Sequence, residues 1–146
     1  MSDAEVDALL AQAHEAKIER IVVAALLWNN GVLLLRRKRD DFLGSLWEIP
    51  SGKLEIGESI HDGLRREVLE ETGLIVENIG RYVGSFDYSS KSGKRTRQLT
   101  FEATLQTWCT IELSEHDSCT FVRTRDELAR FNVSPELSEL LGHVFP

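Results

Sequence analysis

The segment GKLEIGESIHDGLRREVLEETGL, residues 52–74, groups acidic side chains with a few aliphatic ones inside otherwise ordinary sequence. Ser59, followed three residues later by Asp62, is typical of a helix N-cap. Gly73 supplies the left-handed residue with which helices commonly end. We therefore predict a helix of about three to four turns between Ser59 and Gly73.

This helix carries Glu67, Glu70 and Glu71 on one side, because residues three and four positions apart are neighbours on a helix surface. Like charges at this spacing destabilise a helix by roughly 0.2–0.5 kcal/mol per pair, so a positive counterion is expected. A hard divalent ion such as Mg²⁺ favours carboxylate oxygens and completes its coordination with water and substrate phosphates. For the three glutamates taken alone, the alternative is a solvated acidic helix face.

The complete segment resembles the Nudix box, a family motif with widely spaced fixed positions, and every one of these positions is filled. The matching residues are Gly52, Glu58, Arg66-Glu67-Val68, Glu70-Glu71 and Gly73-Leu74. A pattern with this many fixed positions is far more specific than a lone glycine motif. The preceding LWEIPSGKLE also resembles the family's lead-in, with Ser51 where a first glycine is common.

The resemblance implies an α/β fold, the Nudix-type α/β/α sandwich with a mixed central sheet, from Arg20 to about His143. We expect a single domain, residues 1–146, with the box at residues 52–74 and a helical extension at residues 1–19. A length of 146 residues is that of one ordinary domain.

The N-terminal extension is predicted to be an amphipathic helix, because Ser2 and Glu5 have the spacing of a capping box. Its apolar stripe consists of Val6, Leu9, Leu10 and Ala13. We expect this stripe to be buried on the body of the domain or on a second copy, since an exposed stripe would be an association site. A homodimer is therefore a possible assembly.

The two apolar segments RIVVAALLW and VLLLRRK are separated by Asn29-Asn30-Gly31, residues that tolerate the positive φ of a tight turn. We predict that they form a hairpin buried on both faces. Later strands are expected around RYVGSFDYS, RQLTFEATLQTW and CTFVR. Ser134-Pro135 is expected to start a last short helix.

Nudix enzymes hydrolyse a nucleoside diphosphate linked to another group X, with water attacking a phosphorus atom of the diphosphate. By similarity, Glu67, Glu70 and Glu71 are expected to bind Mg²⁺ together with the backbone carbonyl of Gly52, and Mn²⁺ is a possible substitute. Such an ion neutralises phosphate charge and lowers the pKa of the attacking water.

The resemblance also suggests that Glu67 or Glu70 accepts the proton of the attacking water. In many family members a glutamate from a later loop does so, and Glu115 and Asp117 in LSEHDS are candidates for that role. A polar turn between strands is the alternative for both residues.

Arg66 is a further catalytic candidate, because its guanidinium can orient a glutamate or hold a phosphate oxygen through a forked pair of hydrogen bonds. Glu58, at the head of the box, is expected to anchor the loop or to pair with Arg66 rather than to bind metal.

Substrate-binding candidates come from the resemblance to the MutT type, the nucleotide-sanitising branch of the family. Arg36 and Arg37 match a pair that contributes to substrate binding there, and alternation along a strand sends them to opposite faces of the sheet. Asn132 resembles the asparagine that those relatives use on an altered guanine base. An ordinary structural role in a loop is the alternative for Asn132.

Nucleoside triphosphates or oxidised nucleotides are therefore the expected substrates. ADP-ribose and dinucleoside polyphosphates remain alternatives, as does a nucleotide-binding sensor without turnover, although the intact glutamates count against a sensor. An isopentenyl-diphosphate isomerase would need a catalytic cysteine, and Cys109 and Cys119 lie too late in the chain to match that branch.

The resemblance implies a small-molecule nucleotide as the partner, and the composition argues against two other classes of partner. The net charge of −7 argues against a nucleic acid polymer, whose backbone calls for a concentrated basic face. No segment approaches the apolar run of about 18 residues that spans a membrane, and the N-terminus lacks the pattern of a secretory signal. We expect a cytoplasmic protein without a membrane partner.

Overall fold

The computed structural model describes residues 1–146, which form four helices and seven strands. In chain order these elements are α1 Asp3–Glu15, β1 Arg20–Leu27, β2 Val32–Arg37, β3 Trp47–Glu48, β4 Ser51–Lys53, α2 Ile60–Thr72, β5 Val76–Ser89, β6 Arg95–Leu105, β7 His116–Val122, α3 Arg125–Leu128 and α4 Pro135–Gly142. None of the helices has the length and apolar composition needed to cross a membrane.

The strands are arranged in two sheets. The four-stranded sheet has the order β4-β1-β6-β5 and is mixed, because β1 and β6 are parallel while the other neighbours are antiparallel. The three-stranded sheet has the order β3-β2-β7 and is antiparallel throughout. Helices flank this β layer on both sides, which confirms the predicted α/β/α sandwich.

Two hydrophobic clusters hold these layers together, because β1 and β2 are buried on both faces. Alternate residues of each strand enter different clusters, as the period of two in a strand requires. One cluster joins Val23 and Leu35 to the aliphatic face of α2. The other joins Ala24 and Leu34 to α3 and α4. The box helix is thereby fixed against the sheet by its aliphatic residues, and its glutamates lie on a different side of the helix.

The predicted hairpin between β1 and β2 is wrong, although the turn between them has the expected geometry. Asn30 and Gly31 adopt φ values of 52° and 146°. Only the bridge between Trp28 and Val32 then joins the two segments. β1 already has β4 and β6 on its two edges, so β2 diverges into the other sheet and pairs with β3 and β7.

The N-terminal helix packs on the body of its own chain. Ser2 and Glu5 form the predicted capping box. Ala13 is 3% exposed, and the rest of the stripe lies half-buried against the cluster that also contains α2. The stripe is therefore covered without a second copy, and the homodimer stays a prediction.

The box helix begins and ends where the sequence predicted. The Ser59 side chain accepts a hydrogen bond from the Asp62 backbone N–H, and Gly73 has φ 74°. Ile60, Leu64 and Val68 are fully buried on the sheet. The aliphatic side of α2 thus determines the direction in which its glutamates project.

Candidate active site

Glu71 is the most deeply buried glutamate of the box, with 2% of its side chain exposed. Its Oε1 accepts a hydrogen bond from the Ser51 backbone N–H at 2.7 Å. Burial raises the pKa of Glu71 to about 9, and the neighbouring charge of Glu48 contributes to the rise. A carboxylate in this position lacks a compensating positive charge, so it is suited to receive a cation.

Glu67 lies against the backbone of Gly52. A Cβ atom at position 52 would overlap the Glu67 carboxylate, so only glycine permits this close approach between β4 and α2. Burial raises the pKa of Glu67, while a hydrogen bond from Arg66 opposes the rise. Steric contact with Glu67, rather than an unusual backbone conformation, therefore explains why the box has glycine at position 52.

Arg66 organises the box through five contacts. It donates two hydrogen bonds to Glu58, at 2.7 and 2.9 Å, and one to the backbone oxygen of Lys53 at 3.0 Å. The remaining two contacts reach Glu67 at 2.7 Å and Glu70 at 3.3 Å. Because a guanidinium has five N–H donors, Arg66 has none left for a phosphate in this arrangement.

Glu58 is the main partner of Arg66, which was one of its two predicted roles. The hydrogen bonds from Arg66 lower the pKa of Glu58 to about 2, and the Glu55 backbone N–H assists. Glu58 is thus an ionised anchor between the loop and α2.

The loop before β7 is tied to the box helix. The Ser114 hydroxyl donates a hydrogen bond of 2.7 Å to the backbone oxygen of Glu70. The charge of the next residue, Glu115, contributes to the raised pKa values of both Glu67 and Glu71. The structure thus brings Glu115 into the electrostatic environment of the box. The side chain of Glu70 itself is half-exposed.

A cleft of about 440 Å³ opens beside these residues. Of the predicted site residues, Gly52, Glu71, Arg37 and Glu115 line it. Other lining residues combine basic and aromatic groups and include Arg20, Lys53, Trp47, Phe86 and Tyr88. The volume is within the range of ligand pockets, roughly 300–1,000 Å³.

Arg36 and Arg37 point in different directions, as predicted for consecutive residues of a strand. Arg37 lines the cleft and pairs with Glu48 at 3.3 Å and with Asp41 at 3.1 Å. Arg36 pairs with Asp117 at 2.8 Å and lies over the ring of Trp47. Asp117 is therefore a structural partner of Arg36, and neither residue is brought to the cleft.

Asn132 is exposed, and its side chain is not part of the cleft lining. Its backbone oxygen accepts a hydrogen bond from the Trp47 backbone N–H at 2.8 Å. An ordinary structural role in a loop, the alternative given for Asn132 in the sequence analysis, therefore accounts for this backbone hydrogen bond. Ser134 and Leu137, a few residues later, do line the cleft.

Two residues that sequence reasoning missed complete the site. Glu48 and His116 meet through a hydrogen bond of 2.8 Å between Glu48 Oε2 and His116 Nε2. The other ring nitrogen of His116 lies 3.5 Å from Glu71 Oε2. Both lie in segments quoted in the sequence analysis, Glu48 in LWEIPSGKLE and His116 in LSEHDS, but nothing local in the sequence indicates that they meet.

The donor atoms at this site fit a divalent metal ion. Glu67 and Glu71 are buried carboxylates with raised pKa values, and Gly52 leaves the space that the Glu67 carboxylate occupies. Among arginines and lysines, only Arg66 forms an ion pair with any of the three box glutamates, and it reaches Glu67 and Glu70 but not Glu71. Hard carboxylate oxygens with an excess of negative charge are the ligands that Mg²⁺ prefers.

Comparison with known proteins points to one family. A model of the NUDIX domain matches residues 18–141. The MutT-like protein of Streptomyces ambofaciens is 31% identical over 112 residues, which cover 70% of this chain and 68% of that protein. A crystal structure of a MutT protein from Methanosarcina mazei Go1 superposes with a TM-score of 0.72 at 26% identity, covering 85% of this chain and 91% of that one.

A nucleoside triphosphatase, NudI of Escherichia fergusonii, is 39% identical over 79 residues. The match covers 51% of this chain and 55% of the relative, so this chain spans only about half the length of that protein.

Proposed function

The chain belongs to the Nudix family, and from this premise we propose that it is a metal-dependent diphosphohydrolase acting on a nucleoside triphosphate or an oxidised nucleotide. The products are the nucleoside monophosphate and pyrophosphate. One observation carries the proposal: the box is complete, and two of its buried carboxylates, Glu67 and Glu71, converge on β4 beside a cleft of nucleotide size. A nucleoside triphosphatase and MutT-type proteins among the similar proteins support this substrate class.

We assign metal binding to Glu67, Glu70, Glu71 and the backbone carbonyl of Gly52. Bound Mg²⁺, or Mn²⁺ in its place, neutralises phosphate charge and lowers the pKa of the attacking water. Desolvation of Glu67 and Glu71 favours their pairing with a cation, because an isolated buried charge is costly. The half-exposed Glu70 completes the set at the solvent side.

The proton of the attacking water needs an acceptor that is not already paired with a cation. Glu67 receives a 2.7 Å hydrogen bond from Arg66, which opposes the rise in its pKa caused by burial. Glu70 makes only a 3.3 Å contact with Arg66. Glu115 lines the cleft and has no salt bridge with a basic side chain. We therefore assign the general base to Glu115 ahead of Glu70 and Glu67, because both of the latter contact Arg66 and are assigned to the metal.

Arg66 acts as a positioning residue in this proposal. Its hydrogen bonds to Glu58 and Lys53 fix the guanidinium, and the fixed guanidinium then orients Glu67. Orientation of catalytic ligands by such partners is a general requirement of metal sites.

The cleft supplies groups for the rest of the nucleotide. Arg37, Lys53 and Arg20 offer positive charge toward phosphates, and Phe86 and Tyr88 offer rings for a base. The ring centroids of Phe86 and Tyr88 are 6.0 Å apart, so together they form one aromatic wall. Arg36 and Asn132 are secondary candidates, because neither lines the cleft and the Arg36 side chain would have to leave Asp117.

A substrate panel tests the proposal. Purified protein with Mg²⁺ is incubated with nucleoside triphosphates, oxidised guanine nucleotides, ADP-ribose and dinucleoside polyphosphates, and products are separated by ion-exchange chromatography. We expect a monophosphate and pyrophosphate from one of the triphosphates, and no turnover in excess EDTA. Full turnover in EDTA would contradict the metal-dependent mechanism, and tight binding without any product would favour a sensor.

A further inference from the structure

His116 is almost completely enclosed, and one of its ring nitrogens has no hydrogen-bond partner. Only 2% of its side chain is exposed. Nε2 is satisfied by Glu48, but Nδ1 is buried without a partner. Buried polar atoms are paired in the great majority of cases, so an orphaned nitrogen requires an explanation.

The tautomer of His116 follows from its contact with Glu48. The Glu48 carboxylate also accepts a hydrogen bond from Arg37 through its other oxygen. A carboxylate held by a guanidinium is an acceptor, so the His116–Glu48 hydrogen bond requires the proton on Nε2. In the neutral imidazole, Nδ1 then carries a lone pair.

The lone pair on His116 Nδ1 faces a carboxylate oxygen of Glu71. Nδ1 lies 3.5 Å from Oε2 of Glu71, and the other oxygen of Glu71 accepts the Ser51 backbone N–H. Two acceptor atoms buried this close together repel each other unless a positive species lies between them. The species can be a proton or a metal ion.

The distances suit a metal ion. Two ligand atoms about 2.1 Å from one ion in a tetrahedral arrangement are roughly 3.4 Å apart. One donor atom from each of Glu48, Glu71 and His116 lies within 4.8 Å of the other two. The order Glu48, His116 Nε2, His116 Nδ1 also matches the carboxylate–histidine–metal arrangement in which the carboxylate fixes the tautomer of a ligating histidine.

We propose that His116 Nδ1 is a metal ligand that shares Glu71 with the box, so that the site contains nitrogen and favours a divalent ion such as Zn²⁺ or Ni²⁺. Imidazole suits these ions, whereas Mg²⁺ prefers an all-oxygen shell. The proposal deepens the metal site assigned above, because Glu71 belongs to both. The proposal concerns whether His116 Nδ1 binds the metal and not whether substrate is turned over. It can therefore be tested independently of the hydrolase activity.

Nuclear magnetic resonance of the full-length, unmodified chain tests ligation directly. The metal-free protein labelled with ¹⁵N is titrated with Cd²⁺ enriched in a spin-½ isotope, and the two ring nitrogens of His116 are observed. We expect the Nδ1 resonance to split through a one-bond coupling to the metal, while Nε2 keeps its proton. An unsplit Nδ1 resonance at saturating Cd²⁺ would overturn the proposal and leave a proton between His116 and Glu71.

The variant His116→Gln measures how much Nδ1 contributes to the selectivity of the site between metal ions. His116→Gln can retain the hydrogen bond to Glu48, because the glutamine amide lies close to the position of Nε2, but it lacks Nδ1. We expect the Kd for Zn²⁺, measured by calorimetry, to rise at least about tenfold. The Kd for Mg²⁺ should change much less.

His14→Gln is the matched control, because His14 is exposed on α1, away from the box. It should bind both ions as the unmodified chain does. Equal losses of Zn²⁺ and Mg²⁺ affinity in His116→Gln would indicate a purely structural role and contradict the proposal. If this variant does not fold, the Cd²⁺ splitting in the unmodified chain decides the question.

Discussion

The carboxylate of Glu67 occupies the space that a side chain at Gly52 would need. This relationship joins the loop end of the box to its helix, because Gly52 lies on β4 and Glu67 lies on α2. The same approach places a buried carboxylate next to a backbone segment that the family resemblance assigns to metal binding. The position of the Glu67 carboxylate therefore depends on the absence of a side chain at position 52.

Replacing Gly52 by alanine should displace Glu67 and lower metal-dependent kcat by about 10- to 100-fold, the usual effect of disturbing the partners of metal ligands. Gly80→Ala is the matched control, because a Cβ there would meet only ordinary contacts with Glu102. Steady-state kinetics and Mg²⁺ calorimetry on both variants provide the measurement. Normal Mg²⁺ affinity in Gly52→Ala would show that Glu67 is not a ligand.

Glu70→Gln keeps the shape of the side chain and removes its charge. We expect kcat to fall at least about 100-fold if Glu70 holds metal or accepts the proton of water. The thermal unfolding temperature should change little, because Glu70 is half-exposed and makes only a long contact with Arg66. Glu77→Gln, at an exposed position of β5, is the control. An unchanged kcat would indicate that Glu70 has no catalytic role and belongs to a solvated acidic helix face.

Glu71→Gln should stabilise the metal-free protein at neutral and alkaline pH. Burial raises the pKa of Glu71 to about 9. The folded state therefore binds this proton more tightly than the unfolded state, and the resulting stability is complete below pH about 4.5 and is lost as pH rises toward 9. Glutamine has no such loss and can still accept the Ser51 hydrogen bond.

Thermal melts in EDTA from pH 5 to pH 9 measure this effect. We expect the Tm of Glu71→Gln to exceed that of the unmodified chain by about 3 °C or more at pH 8, with a smaller difference at pH 5. Added Mg²⁺ should raise the Tm of the unmodified chain more than that of the variant. Parallel pH profiles for the two proteins would show that Glu71 is not desolvated in solution.

Deleting residues 1–17 should lower the Tm while sparing the chemistry. Helix α1 covers part of the cluster that also contains α2, but it contributes no residue to the cleft. Calorimetry and kinetics on the truncated chain measure the two effects, and light scattering follows the molar mass. An unchanged Tm would mean that α1 is a loose appendage, whereas a change of mass would indicate that the helix contributes to a homodimer.

The box helix could be predicted closely because its caps, aliphatic face and acidic face are all local in sequence. Ser59 and Gly73 bound it through contacts within four residues. The pairing of the strands was harder to predict from the sequence, because β1 and β2 are adjacent in sequence but pair with strands from distant segments. A short turn indicates a hairpin only when no other strand competes for the same edges.

Glu48 and His116 escaped prediction for a similar reason. They are separated by 68 residues in sequence and meet only because β2 lies between β3 and β7. A register shift between Arg36 and Arg37 then places His116 opposite Arg37. Such a bulge re-aims side chains and has no reliable signature in a single sequence.

The bond that is cleaved separates the proposed mechanism from its alternatives. A substrate that lies along the cleft offers linked phosphates to the box while its base lies toward Phe86 and Tyr88, so water should attack an internal phosphorus. We expect the monophosphate and pyrophosphate as first products, and, from the resemblance to the MutT type, attack at the β-phosphorus. In water enriched with heavy oxygen the label should then enter pyrophosphate, as measured by mass spectrometry. Label in the monophosphate would instead assign attack to the α-phosphorus, and orthophosphate as the first product would contradict the internal cleavage altogether.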